Sequence, residues 1–324
     1  MSLSHHLFPI PTFQTAFTTC CFNLGPRSDQ VTACPTLNLP GVDSVALRDA
    51  DLGVHYATPG TSHALVVPPP VSPGRQPPSD MVPMSDFSAS EDWPAPSLAW
   101  EAFYPNGSIN PAGVIPGGFG FYVSGPQAFA AQLAAGATHA VLSYRMMLQP
   151  GWEWVKGGKL PGIFGGEGDS SYACTGGRQE ARSKCFNVRP MWRPKGMGEL
   201  YTYLPLTDRN WEQLSAVPPY STGNAKYGVS VGRGAFNFDL AVGRWITLAF
   251  RVKLNDVGSE NGELELWVDG ESVISVSGLT LRDSSASRIK GAHFQTFFGG
   301  HEEDWASPKD QRARFADVSG AIIA

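Results

Sequence analysis

The chain has 324 residues, 36 of them Gly and 27 Pro, where average usage puts roughly an eighth of residues in these two types, and this excess argues against a helical bundle. Only 16% of residues are charged, but 42% are hydrophobic, including 18 Phe and 9 Trp, so there is ample material for a core and disorder is not the default. A net charge of −5 gives no global attraction to nucleic acid or anionic membrane, and no run approaches the ~18 apolar residues of a membrane helix, so a soluble protein is expected.

Residues 1 to about 95 differ in character from the rest. Pro68, Pro69, Pro70, Pro73, Pro77, Pro78, Pro83, Pro94 and Pro96, with Ser and Asp between them, predict an extended or wrap-around arm rather than a separate domain. Within it, Asp43 to Val67 alternates enough to add a strand or two. The first basic residue is Arg27 and Pro9 and Pro11 break the opening segment, so no secretory signal is visible. Asn106-Gly107-Ser108 is the single glycosylation triplet, a weak hint of secretion.

Past Leu98, strand follows strand. One helix is expected: Pro126 in its first turn, QAFAAQLAA as its body and Gly136 just beyond. The runs His139 to Leu148, Phe186 to Trp192, Glu199 to Leu204, Arg244 to Leu254, Glu263 to Val268, Ser272 to Val276 and His293 to Phe298 are rich in β-branched and aromatic residues. Asp269-Gly270 is a hairpin signal between two of them. The pattern predicts an all-β fold, a sandwich of two antiparallel sheets with one short helix.

Alternation then sorts the side chains. Tyr201 and Tyr203 share a face with Glu199; Asn187, Arg189, Met191 and Arg193 share a face of their own strand, with Val188 and Trp192 opposite. Between Arg178 and Lys195 stand six basic residues against one acid, Glu180, a local polyanion signature in an acidic chain. Lys156 and Lys159 flank two glycines in a loop beside this region. Each feature also has a plainer account: a Tyr-x-Tyr strand packs across strands, and surface arginines are solvated or ion-paired. Together they supply what elimination across a uronic acid requires. The C5 hydrogen is acidic only if the carboxylate charge is offset, and Arg suits that grip. A base takes the proton, an acid protonates the departing O4, and a tyrosine serves either role once nearby Lys and Arg favour its phenolate.

At these residues the chain resembles polysaccharide lyase family 14, which includes alginate lyases and related polyuronate lyases. The matching stretches are GWEWVKGGKLPGIFGG (Gly151 to Gly166), FNVRPMWR (Phe186 to Arg193), GELYTYLP (Gly198 to Pro205) and HFQTFFGGHEEDWASPKD (His293 to Asp310), with weaker similarity from Trp100 through GGFGFY. The resemblance covers roughly 96 to 324 and implies a β-jelly-roll lyase domain, an acidic polysaccharide as partner, no cofactor, a monomer and secretion. It implies Lys159, Arg189, Tyr201 and Tyr203 as catalytic residues, with either tyrosine as base, its partner or Lys159 assisting the leaving oxygen, and Arg189 with Asn187 holding the carboxylate. Arg193, Lys156, His293 and Gln295 are the further substrate-binding candidates. Asn187 replaces a small hydroxyl residue of the family's pattern, a sign of different substrate preference. The stretch from Glu167 to Lys184 is a local elaboration that reshapes a subsite.

Other readings compete. Glu263, Glu265, Trp267 and Asp269 on one face suggest a sandwich hydrolase, although the usual Glu-x-Asp-x-x-Glu spacing is missing and a solvent-facing acidic strand with an exposed Trp explains them as well. A non-catalytic carbohydrate-binding module would use the same basic, aromatic groove. His301, Glu302, Glu303 and Asp304 are consecutive and point in different directions, so a charged loop is expected rather than a metal site. The five Cys contain no CxxC; Cys174 and Cys185 are spaced either for a short-loop disulfide or for two buried thiols.

Overall fold

The computed structural model describes residues 2–20, 40–70, 94–178, 180–224, 226–300 and 302–324. Cys21, Cys34, His301 and the prolines from Pro73 to Pro83 lie outside them. In chain order the first strands are β1 (Thr15–Thr18), β2 (Val42–Ser44), β3 (Val54–His55), β4 (Ala64–Val66), β5 (Ala99–Tyr104), β6 (Phe119–Val123) and β7 (His139–Leu148). There follow β8 (Gly158–Lys159), β9 (Gly162–Glu167), β10 (Cys185–Trp192), β11 (Met197–Tyr203), β12 (Thr222–Gly223) and β13 (Val229–Asn237). The last are β14 (Ile246–Lys253), β15 (Gly262–Val268), β16 (Glu271–Leu279), β17 (Ser287–Phe298) and β18 (Gln311–Ile322).

These strands form a jelly-roll sandwich of two nine-stranded sheets. The first runs β16-β15-β14-β7-β18-β1-β2, with β5 also on β18 and β4 on β5; the second runs β12-β13-β11-β10-β8-β17-β6-β3, with β9 between β10 and β17. The pairings are antiparallel apart from β1 with β2. Alternation sets the faces: Phe186, Val188, Trp192 and Leu200 of the second sheet meet Met146, Leu148, Phe250 and Leu264 of the first in one core. Asp269 and Gly270 both have positive φ, 49° and 82°, the backbone of a tight hairpin between β15 and β16.

Among the described residues there are three α-helices, two more than expected. Helix α2 (Gln127–Ala135) is the predicted one, with Pro126 just before its first turn and Gly136 in the left-handed conformation after its last. The others are α1 (Leu3–Leu7) and α3 (Asp208–Ser215). Helix α3 is short and mostly polar, with Leu214 as its one apolar residue in the core; Thr207 caps it by accepting from Asn210 N at 3.1 Å. Asn210 then ties it to Thr280, donating to its carbonyl at 2.7 Å and accepting from its N–H at 2.8 Å. The amino-terminal residues contribute strands to both sheets. β1 pairs with β18, β4 with β5, and β3 with β6 at the edge of the second sheet.

Candidate active site

The side chains of interest stand on the outer face of the second sheet. Register places them as cross-strand neighbours: Asn187 opposite Tyr203, Arg189 opposite Tyr201 and Met191 opposite Glu199. On the other side, β17 puts His293 opposite Tyr122 of β6 and Gln295 opposite Gly120. Lys159 enters from the two-residue β8, opposite Met191 and Phe297. Its glycine neighbour makes this possible, since a Cβ on Gly158 would lie 1.9 Å from the Trp192 indole. A side chain there would push Lys159 off the sheet.

Lys159 Nζ donates to the Tyr203 hydroxyl at 3.0 Å and lies 5.0 and 4.9 Å from the ring centres of Tyr201 and Tyr203. Burial, with repulsion from Arg189 and Arg193, holds its pKa well below the ordinary lysine value against the opposing pull of Glu199. The neutral amine is thereby favoured over the ammonium. The two tyrosine rings meet edge to face at 5.2 Å. Burial raises both phenols above their usual value, outweighing the cations that favour the phenolate of Tyr203, Arg189 and Arg182. This runs against the expectation that nearby Lys and Arg would favour the phenolate: desolvation is the larger effect and disfavours it on both rings.

Arg189 is only 1% exposed. It donates from Nε to the Leu160 carbonyl and from Nη1 to Gln295 Oε1, both at 3.0 Å, and from Nη2 to the Gln295 carbonyl, all neutral acceptors. Burial brings its pKa down to about 10. Asn187 Nδ2 donates to His293 Nδ1 at 2.8 Å, while Asn187 Oδ1 is buried with no hydrogen-bond partner among the described residues. Burial together with Arg189 and Lys159 keeps His293 neutral, so its proton is left on Nε2. His293 and Gln295 thus face the cluster.

Two candidates are committed elsewhere. Arg193 donates to Glu199 Oε1 at 2.8 Å and to Ser230 Oγ at 3.0 Å, and Arg233 holds the other oxygen of Glu199 at 2.6 Å. Its charge is matched by a fully buried acid, and its ring contact with Tyr201, 5.8 Å, makes it a support. Lys156 is exposed and paired with Asp304 and, at 3.7 Å, Glu302, over the Trp305 ring. It does not join the cluster. No group of three or more metal-binding side chains exists among the described residues, and no helix among them is long and apolar enough to cross a membrane.

The family model for polysaccharide lyase 14 matches residues 95–318. The chain belongs to this family. Among solved structures it is similar to the marine PL-14 alginate lyase of Aplysia kurodai, with 31% identity, 70% of this chain and 83% of that one covered, and a TM-score of 0.60. The alginate lyase vAL-1 from Chlorella virus shares the fold, with 22% identity, 69% and 85% coverage and a TM-score of 0.54. No curated protein matches. The chain is a polysaccharide lyase.

In this lyase the acidic strand of the hydrolase reading is a structural element. Glu263 and Glu265 are bound by Arg251 at 2.8 and 3.0 Å, and Lys253 holds Glu263 at 2.7 Å. Trp267, expected to be exposed, is buried with Val141 and Ala249, and Ile10 and Ile323 pack against this group. Of the two readings of Cys174 and Cys185 the disulfide is the one found, while the place of Arg182 beside Tyr203 was not foreseen. Cys174 and Cys185 form a disulfide that packs with Tyr203, and Arg182 lies 5.1 Å from the Tyr203 ring centre while donating to the Tyr227 carbonyl. The available signal was the two-residue spacing that puts Cys185 on the face of Asn187. Tyr122 was missed as well; it stacks on His293 at 4.4 Å, while Phe119 and Phe121 on the same strand enter the core.

Proposed function

We propose that this polysaccharide lyase cleaves a 4-linked polyuronate by β-elimination, leaving a 4,5-unsaturated uronate end. The observation that carries the reading is the Lys159 amine, depressed in basicity, hydrogen-bonded at 3.0 Å to the protonated Tyr203 beside the buried Arg189. Among the described residues no carboxylate pairs with Arg189, so its charge is available to an incoming uronate carboxylate. Asn187 and His293, coupled to each other, border the same place, and the buried Oδ1 of Asn187 is an acceptor for a sugar hydroxyl.

In this mechanism neutral Lys159 removes the C5 proton and the electrons of that bond form the C4–C5 double bond. The C4–O4 bond breaks and Tyr203 protonates O4. Lys159 is then ammonium and Tyr203 phenolate. One proton passed along their hydrogen bond restores both, and no water is consumed. Tyr201, on the same amine, orients the pair.

An acid and a base in hydrogen-bond contact act on one side of the sugar. That suits mannuronate and glucuronate, where H5 and O4 lie on the same side, and disfavours guluronate, the C5 epimer. The disulfide beside Tyr203 supports action outside a reducing compartment, consistent with a secreted enzyme. The test is ultraviolet absorbance of the conjugated product with polymannuronate, polyglucuronate and polyguluronate in parallel. A rise with one or both of the first two and little with the third is expected. Absence of absorbance with all three would overturn the reading.

A further inference from the structure

The site face continues past His293 into a row of rings that the elimination does not use. Tyr122 stacks on His293 at 4.4 Å; beyond it, Tyr172 lies 4.8 Å from Tyr122, and Tyr56 lies 5.1 Å from Tyr172 and 6.4 Å from Tyr122. These rings come from three places in the chain. Tyr122 is on β6, Tyr172 belongs to the Glu167–Lys184 elaboration, and Tyr56 follows β3 in the amino-terminal segment, ahead of the part matched by the family model. β3 is brought here by its pairing with β6, His55 opposite Tyr122. His55 fastens the group, with Nδ1 on the Gly53 carbonyl at 2.9 Å and Nε2 3.2 Å from the Tyr172 hydroxyl.

Tyr56 is the unusual member. It is 68% exposed and its φ is 51°, a left-handed backbone that a bulky side chain adopts rarely and at a cost. An exposed ring held at such a backbone, edge-on to two other tyrosines, is poorly explained by core packing. The geometry points to a platform, and we propose that Tyr56, with Tyr172 and Tyr122, forms an additional subsite that stacks a uronate residue of the same polymer whose cleaved bond lies at Lys159 and Tyr203. The proposal rests on the polyuronate reading above. Two independent features support it: the rings are continuous with the site through His293, and a cation stands nearby. Burial raises the Tyr122 phenol above its usual value; the cations that act against this are Arg189 and, more weakly, the exposed Arg178 of the same elaboration.

The test separates this subsite from the lyase reading. Polyuronate oligomers of increasing length are titrated by calorimetry into the Lys159→Ala protein, with and without Tyr56→Gly, and turnover of the same oligomers is followed with Lys159 intact. Glycine accepts the left-handed backbone, so Tyr56→Gly removes the ring and keeps the chain path; Tyr56→Asn, also tolerant of that backbone, is the second variant. For long oligomers both should raise Kd and KM roughly three- to tenfold, with the effect on KM rather than kcat, and Tyr56→Phe should stay near the parent. Oligomers too short to reach the platform should not distinguish the variants. Unchanged Kd with long oligomers, an equal loss at every length, or no binding by the parent would overturn the subsite. Should the parent bind polyuronate yet form no unsaturated product, the lyase reading fails, and the calorimetric comparison still decides the platform.

Discussion

On the outer face of the first sheet, Arg251 holds Glu263 and Glu265, Lys253 holds Glu263, and Arg314 holds Glu101 at 2.7 Å. On the outer face of the second, Arg189, Lys159 and Arg182 gather around Tyr203 and none has a carboxylate partner among the described residues. Glu199 shares that face, but Arg193 and Arg233 occupy its oxygens. The same residue types therefore do two jobs. Where each cation already meets an acid, in these partly buried pairs, the charges are matched and none is left for a ligand. Where the buried guanidiniums of Arg189 and Arg182 lack an anion, the uncompensated charge is a cost that an incoming polyanion offsets, and that of Arg189 lowers the pKa of Lys159.

The sharpest way to break this contrast is to remove the reacting pair. Lys159→Ala and Tyr203→Phe are each expected to lower kcat about 10²- to 10⁴-fold, the range for a lost general base or acid, with little change in thermal stability. Retention of activity by either, measured as the initial rate of ultraviolet absorbance, would remove that residue from the elimination. Loss of folding by circular dichroism would instead make its role structural.

A smaller, graded effect is expected with pH. The base must be unprotonated, so kcat/KM should rise about tenfold per pH unit below the depressed pKa of Lys159 and level off above it. The acid must keep its proton, and the Tyr203 pKa is raised, so the fall should come on the alkaline side of the ordinary phenol range. Arg193 is one of the cations that disfavour charged Lys159. Arg193→Gln should therefore move the acidic limb to higher pH, through the lost repulsion and through freeing half of Glu199. An unmoved limb would show that another group titrates there.

How far the sequence carries depends on where the information resides. Alternation alone put Asn187 and Arg189, and likewise Tyr201 and Tyr203, on one face, and the register confirms that they are cross-strand pairs. Strand boundaries such as His139–Leu148 were legible because β-branched and aromatic runs end at turns. The protonation states were not, because they depend on burial: nearby cations argue for a phenolate, and only the packing of Tyr201 and Tyr203 shows desolvation prevailing. Nor was the commitment of Arg193, since its Glu199 contact reaches across the β10–β11 turn and its Ser230 contact joins a third strand. Helix α3 was hidden for a related reason. It is held by one asparagine bonded to a distant backbone and by a single core leucine, Leu214, too few apolar residues to mark it in the sequence.

The smallest expected effect tests the inert half of the comparison. Glu265 is 17% exposed in its side chain, accepts from Ser272 Oγ at 2.7 Å and shares Arg251 with Glu263. In Glu265→Gln the amide oxygen still accepts from Ser272, Arg251 keeps Glu263, and water reaches the remainder. Stability should change by less than about 1 kcal/mol in denaturant melts and kcat/KM by no more than about twofold. A large loss of activity with the fold intact would mean that this strand takes part in catalysis, and would revive a two-carboxylate reaction on the first sheet. Retained activity, set beside the collapse expected for Lys159→Ala, would confine the chemistry to the face whose positive charge has no partner.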